Sequence, residues 1–181
     1  MVDRETIENC RKGNLQEFRK LVDASSPFAF SVAFRMLGEE AIAADIVQET
    51  MITVWKSINK IKSSDTYKTW IYRIVLNKCF DELRRKKRNP EFVADEKAWM
   101  RISETLSHNP VTQLENQEIA NIIGVLTEKL SRKQKAVFIL ADLEEMTNDE
   151  ISVITGMSRT RVKANLYYAR KRIGEMVKKF L

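Results

Sequence analysis

Between Arg159 and Arg172 the segment RTRVKANLYYARKR carries six cations and no carboxylate. On a helix, at about 100° per residue, Thr160, Ala164, Tyr167, Tyr168 and Lys171 share one face. Arg159, Lys163 and Arg170 flank that face on one side, and Arg161 and Arg172 flank it on the other. Arginine and lysine grip phosphates, and arginine also reads guanine edges through two parallel hydrogen bonds. A small residue, Ala164, at the middle of the face lets a helix sit deep in a major groove. The bland alternative is a solvated basic face. A second cluster is TWIYRIVLNKCF, Thr69–Phe80, which runs into Arg84, Arg85, Lys86, Lys87 and Arg88. Aromatic rings stack on bases and neighbouring cations pair with phosphates, the combination that binds single strands. Burial of those aromatics is the competing account. A third group, Asp45, Gln48, Glu49 and Ile52, recurs at three- and four-residue spacing and so shares one side of a helix. Such a strip suits a protein partner, or simply water.

Catalytic chemistry finds no foothold. His108 is the only histidine, and Cys10 and Cys79 have no patterned neighbours, so the cysteines read as reduced thiols. There is no carboxylate cluster with metal spacing, no phosphate-cradling glycine loop and no nucleophile beside a base. The expectation is a protein that is not an enzyme and that needs no metal and no cofactor.

The elements that must position these groups are helices. Thr147 with Glu150 three residues on is a capping-box pattern; Ile151 and Ile154 give an inner face; Gly156 stops that helix. Ser158 is the next N-cap, and Val162, Leu166, Ala169 and Ile173 form the stripe that would be buried. This is a helix-turn-helix. Ser131 with Gln134 opens a preceding helix expected to run through Leu143, and Gln113–Leu126 is expected to supply another. Upstream, Asn14 caps a helix through Val22, Pro27 starts a new one ending at Gly38, a long helix runs from Glu40 to Ile58, and a last one from Tyr67 to Arg88. Asn59–Thr69 is loop-like. No run of alternating β-branched residues suggests a strand.

Charge divides the chain. Residues 1–90 hold 17 Lys/Arg against 12 Asp/Glu, residues 91–118 hold 2 against 6, and residues 119–181 hold 12 against 7. The whole carries a formal +6, which favours a polyanionic partner. The expected fold class is all-α: two small helical domains joined by a flexible acidic linker, with residues 1–92, 93–112 and 113–181 as first domain, linker and helix-turn-helix domain. The charged start MVDRETIENC does not resemble a signal peptide, and no apolar run approaches a spanning length, so a cytoplasmic protein without membrane insertion is expected.

Taken together, DIVQETMITVW (Asp45–Trp55), TWIYRIVLNKCFDELRRKKR (Thr69–Arg88) and LSRKQKAVFIL followed by MTNDEISVITGMSRTRVKANLYYARKRI resemble the extracytoplasmic-function (group IV) sigma factors of bacterial RNA polymerase. The resemblance spans nearly the whole chain. It implies a promoter-specificity subunit that brings core RNA polymerase to promoter DNA and helps open it. By that resemblance Asp45, Gln48, Glu49 and Ile52 dock on the polymerase. Tyr72, Arg73, Asn77, Arg84, Arg85 and Arg88 meet the single-stranded minus-ten element. Arg159, Thr160, Arg161, Lys163, Ala164, Tyr167 and Arg170 read the duplex minus-thirty-five element. It also implies control by an anti-sigma protein. Ala44 stands where the family usually has Glu, and Thr160-Arg161-Val162-Lys163 where it usually has Gly-Thr-Val-Lys. A two-domain helix-turn-helix regulator that never joins polymerase is the alternative.

Overall fold

The computed structural model describes residues 2–61, 66–88, 122, 124–127 and 129–178. The expected linker 93–112 and most of the expected Gln113–Leu126 helix lie outside the described residues. Those described form an all-α fold with no strand among them.

Helix α1 spans Arg4–Arg11. The Asp3 carboxylate caps it by accepting the Thr6 amide at 2.8 Å, and that bond holds Asp3 below the usual carboxylate range. Helix α2 spans Leu15–Leu37 and is capped by Asn14, which accepts from the amides of Gln16 and Glu17. The expected break at Pro27 does not occur: α2 is one helix with Pro27 inside it. Proline removes one backbone bond and costs about 3 kcal/mol inside a helix. Burial on both sides of it outweighs that cost, because Leu21, Ala29, Val32 and Ala33 are all fully buried. The Ser26 hydroxyl also donates to the Val22 carbonyl at 2.8 Å, close to where the helix bonding is interrupted. Gly38 ends α2 in the left-handed region, at φ 75°, with its amide on the Phe34 carbonyl.

Helix α3 (Glu40–Lys56) and a short 3-10 turn (Ile58–Lys60) lead to α4 (Tyr67–Arg88). Helices α2, α3 and α4 pack pairwise, and α1 leans on α2. Val32, Val54, Ile71, Val75 and Cys79 have no exposed surface at their junctions. Burial pushes the Cys79 thiol up to about 12 and raises the Tyr67 phenol as well.

Helix α5 (Arg132–Phe138) opens with both arms of the expected capping box: Ser131 accepts the Gln134 amide and Gln134 accepts the Ser131 amide at 3.0 Å. It then widens into a π turn over Ile139–Leu143, where an α-helical end was expected. The Glu144 amide bonds the Ile139 carbonyl at 3.0 Å, five residues back. Glu145 follows at φ 53°, a left-handed value uncommon for a residue with a side chain. Helix α6 (Asn148–Thr155) carries the Thr147–Glu150 capping box, ends at Gly156 (φ 68°), and is followed by α7 (Arg159–Val177) capped by Ser158.

The two basic halves are in contact. Helix α4 packs on α6, α2 touches the π turn, and one buried apolar cluster includes residues of both. None of the described helices is long and apolar enough to cross a membrane.

Candidate polymerase and promoter interfaces

The helix-turn-helix has the geometry its stripe demands. Val162, Leu166 and Ala169 are buried against α5 and α6, and Ile173 is half-buried. Thr160, Arg161, Lys163, Ala164, Tyr167, Tyr168 and Lys171 are exposed. Tyr167 and Tyr168 meet edge to face at 5.4 Å and still keep more than half their surface in solvent. Two predicted DNA contacts are tethered to acids: Arg159 pairs with Asp149, and Arg170 pairs with Asp142 through two nitrogens, one at 3.0 Å. Among the described residues Arg161 and Lys163 form no ion pair, in contrast to Arg159 and Arg170. Asn148, Lys163, Tyr167, Arg170 and Lys171 border a cleft of about 530 Å³ along this face.

On α3, Asp45, Gln48 and Glu49 are exposed and Ile52 keeps 48% of its surface in solvent. Glu49 also pairs with Lys78 of α4 at 3.0 Å. Beside the strip runs an apolar groove of about 790 Å³ between α2 and α3, floored by Phe18, Val22, Val47 and Trp55 and edged by Ile52 and the exposed Leu15. Sequence reasoning missed this groove. Its signal was Leu15, an apolar residue at the solvent-facing start of a helix.

On α4 the predicted minus-ten residues separate. Arg73 and Asn77 are exposed; Arg84 and Arg85 are exposed but paired with Asp81 and Glu82 on their own helix; the Arg88 side chain lies outside the described residues. Tyr72 is the correction. It was expected to meet the minus-ten strand, yet it is only 5% exposed, more buried than the neighbouring Trp70 and Ile74, which are half-buried. Its ring stacks on Phe28 at 4.6 Å, and its hydroxyl donates to Glu144 Oε2 at 2.8 Å. Burial first, and that hydrogen bond second, push its phenol far above the ordinary range. Phe28 of α2 and the helix-turn-helix half, through Glu144 and the packing of α6 on α4, together cover this side of α4.

Two clefts mark the junction. One, of about 450 Å³, sets Lys60, Trp70 and Arg73 opposite Asp149, Glu150 and Val153. The other, of about 770 Å³, gathers Arg84 and Lys87 from α4 with Arg132 and Lys135 from α5. Among the described residues no group of three or more His, Cys, Asp or Glu is placed to hold a metal ion.

Comparison with known proteins agrees with this anatomy. Residues 21–89 match Sigma-70 region 2, and residues 120–173 match Sigma-70 region 4. The ECF RNA polymerase sigma factor SigW of Bacillus subtilis is 26% identical over 98% of each chain. The RNA polymerase sigma factor NccH of Alcaligenes xylosoxydans xylosoxydans is 28% identical, covering 95% of this chain and 92% of its own. The fold matches CnrH, solved in complex with the cytosolic domain of CnrY, with a TM-score of 0.72, 22% identity and 99% coverage of both chains. It also matches RpoE from Bartonella quintana, solved with the anti-sigma factor NepR, with a TM-score of 0.68 and 17% identity over 90% of this chain and 98% of that one. Fold and surfaces define a promoter-recognition subunit with two helical regions. The chain belongs to the sigma-70 family of RNA polymerase sigma factors, in its extracytoplasmic-function group. It directs core RNA polymerase to promoter DNA for transcription initiation.

Proposed function

We propose that residues 1–92 dock on core polymerase and hold the opened minus-ten strand, that residues 93–112 connect, and that residues 113–181 read the minus-thirty-five duplex. The observation that carries this is the split on α7: Val162, Leu166 and Ala169 are buried while Arg161, Lys163, Ala164 and Tyr167 face water. A buried stripe behind an exposed basic and aromatic face is what a recognition helix requires. Asp45, Gln48, Glu49 and Ile52, with the apolar groove beside them, take the polymerase contact. Arg73, Asn77 and the Arg84–Arg85 cations take the minus-ten strand, joined by Arg88. Arg159 and Arg170 exchange Asp149 and Asp142 for phosphates, since exposed ion pairs contribute only about 0–1 kcal/mol and are given up at little cost.

The protein works in the cytoplasm, where polymerase and promoter meet, and its own residues make or break no covalent bond. An anti-sigma protein holds it inactive; the fold-related RpoE of Bartonella quintana forms a complex with a factor of that kind, NepR. Purified chain, mixed with core polymerase, should co-elute with it and start transcripts from a subset of a randomised promoter library. Binding to duplex DNA without binding to core would replace this reading by a regulator that acts alone.

A further inference from the structure

The contact between the two halves centres on one carboxylate. Glu144, at the end of the π turn, accepts from Ser31 Oγ at 3.0 Å and from Arg35 Nη1 at 2.5 Å, both on Oε1, and from the Tyr72 hydroxyl at 2.8 Å on Oε2. All three donors belong to the first half, two on α2 and one on α4. Arg35 and Glu144 keep only 27% and 11% of their side-chain surface in solvent. Among the described residues Glu144 is the only acid with which Arg35 pairs. A guanidinium and two hydroxyls arranged around a carboxylate form a site that would suit a phosphate equally well, since both anions present oxygen acceptors with delocalised charge. If the halves part, Glu144 leaves and the site loses the anion it is built around.

We propose that Ser31, Arg35 and Tyr72 form an anion site that takes a backbone phosphate of the opened promoter strand, and that Glu144 fills it as an internal mimic while the two halves are closed. Ser31 and Arg35 stand on α2, and Tyr72 stands on α4, the helix that also exposes Arg73 and Asn77, so parting the halves would uncover the site beside a helix that carries minus-ten candidates. The inference rests on the sigma-factor reading for the identity of the strand. One residue then performs two tasks: Glu144 holds the halves together and denies the site to DNA until docking separates them.

The test uses the full chain and a fluorescent single-stranded minus-ten oligonucleotide. Glu144→Ala should tighten binding by the free chain about tenfold or more, because a charge-assisted anion site is vacated. Glu144→Ala combined with Arg35→Ala should lose that gain, with a salt slope shallower by about 0.7, one phosphate contact on a single strand. Adding Tyr72→Phe to Glu144→Ala keeps the ring and removes only the hydroxyl, so a partial loss is expected even if Arg35→Ala disturbs folding. In the polymerase complex, Arg35→Ala should weaken open-complex formation on normal DNA. The same penalty should vanish when one particular phosphate is replaced by an uncharged methylphosphonate. The site is overturned if the double variant with Arg35→Ala binds as tightly as Glu144→Ala alone, or if no methylphosphonate position removes the penalty. Failure of the wild-type chain to bind core polymerase would strike the functional reading instead, leaving the free-chain measurements to judge the anion site.

Discussion

Removing the Glu144 carboxylate should loosen the two halves from each other without unfolding either. Glu144→Ala removes three hydrogen bonds at once, one of which is also the ion pair with Arg35. Breaking a buried pair costs about 3–5 kcal/mol, whereas an exposed one contributes about 0–1. At 27% and 11% exposure this pair lies nearer the buried case, but Arg35 and Tyr72 rehydrate when the halves part, which returns much of the cost. A net loss of about 3 kcal/mol in closure follows, a shift of roughly a hundredfold in the closed-to-open ratio. Tyr72→Phe removes only the 2.8 Å hydroxyl bond and leaves the stack on Phe28, so about 1 kcal/mol and roughly fivefold are expected. Energy transfer between dyes on cysteines introduced at Asp23 and Lys178 reads the change, because both positions are exposed and the native Cys10 and Cys79 are buried. Transfer should fall in the order wild type, Tyr72→Phe, Glu144→Ala, with the helical circular-dichroism signal unchanged. Wild-type transfer in Glu144→Ala, with an unaltered melting temperature, would refute the claim that this carboxylate holds the halves together.

Reversing Asp45 and Glu49 to Lys should abolish assembly with core polymerase in a co-elution assay and shift the melting temperature little, since both residues are exposed and the lost Glu49–Lys78 pair contributes at most about 1 kcal/mol. On α7, Arg161→Ala should change base preference in the upstream element by about 1–3 kcal/mol in a binding selection, whereas Lys163→Ala should weaken all promoters alike and lower the salt slope by about one unit. Stability should be level from neutral pH to about 9 and then fall as pH rises toward 12. The buried Cys79 thiol ionises near 12 when folded but near 9 when unfolded, so the unfolded chain releases its proton first. The raised phenols of Tyr67 and Tyr72 act in the same direction. Urea midpoints measured across that range should fall less steeply in Cys79→Ala.

Local chemistry was legible where a bond spans a few residues. Thr147 reaches Glu150 and Ser131 reaches Gln134 within one turn, so the capping boxes and the helix starts they set could be read from spacing alone. Gly38 and Gly156 ended their helices where their conformational freedom suggested. The buried stripe of α7 and the exposed strip of α3 followed from helical period. Tyr72 misled because its neighbours in sequence carry no information about the surface that covers it. Pro27 misled because a local penalty was weighed without the long-range burial that offsets it.

By itself the sequence determined the all-α class, most helix boundaries, the helix-turn-helix and which face of it meets water, because these depend on hydrogen bonds and periodicities closed within a few residues. Tertiary structure decided what happens between the halves. Glu144 finds its donors 72, 109 and 113 residues away, on helices whose approach no local pattern specifies. The π turn that carries it, the burial of Tyr72 and the cation cleft of Arg84, Lys87, Arg132 and Lys135 all belong to that approach. Charge and periodicity tell each helix which side to hide; only the packed chain settles what it is hidden against.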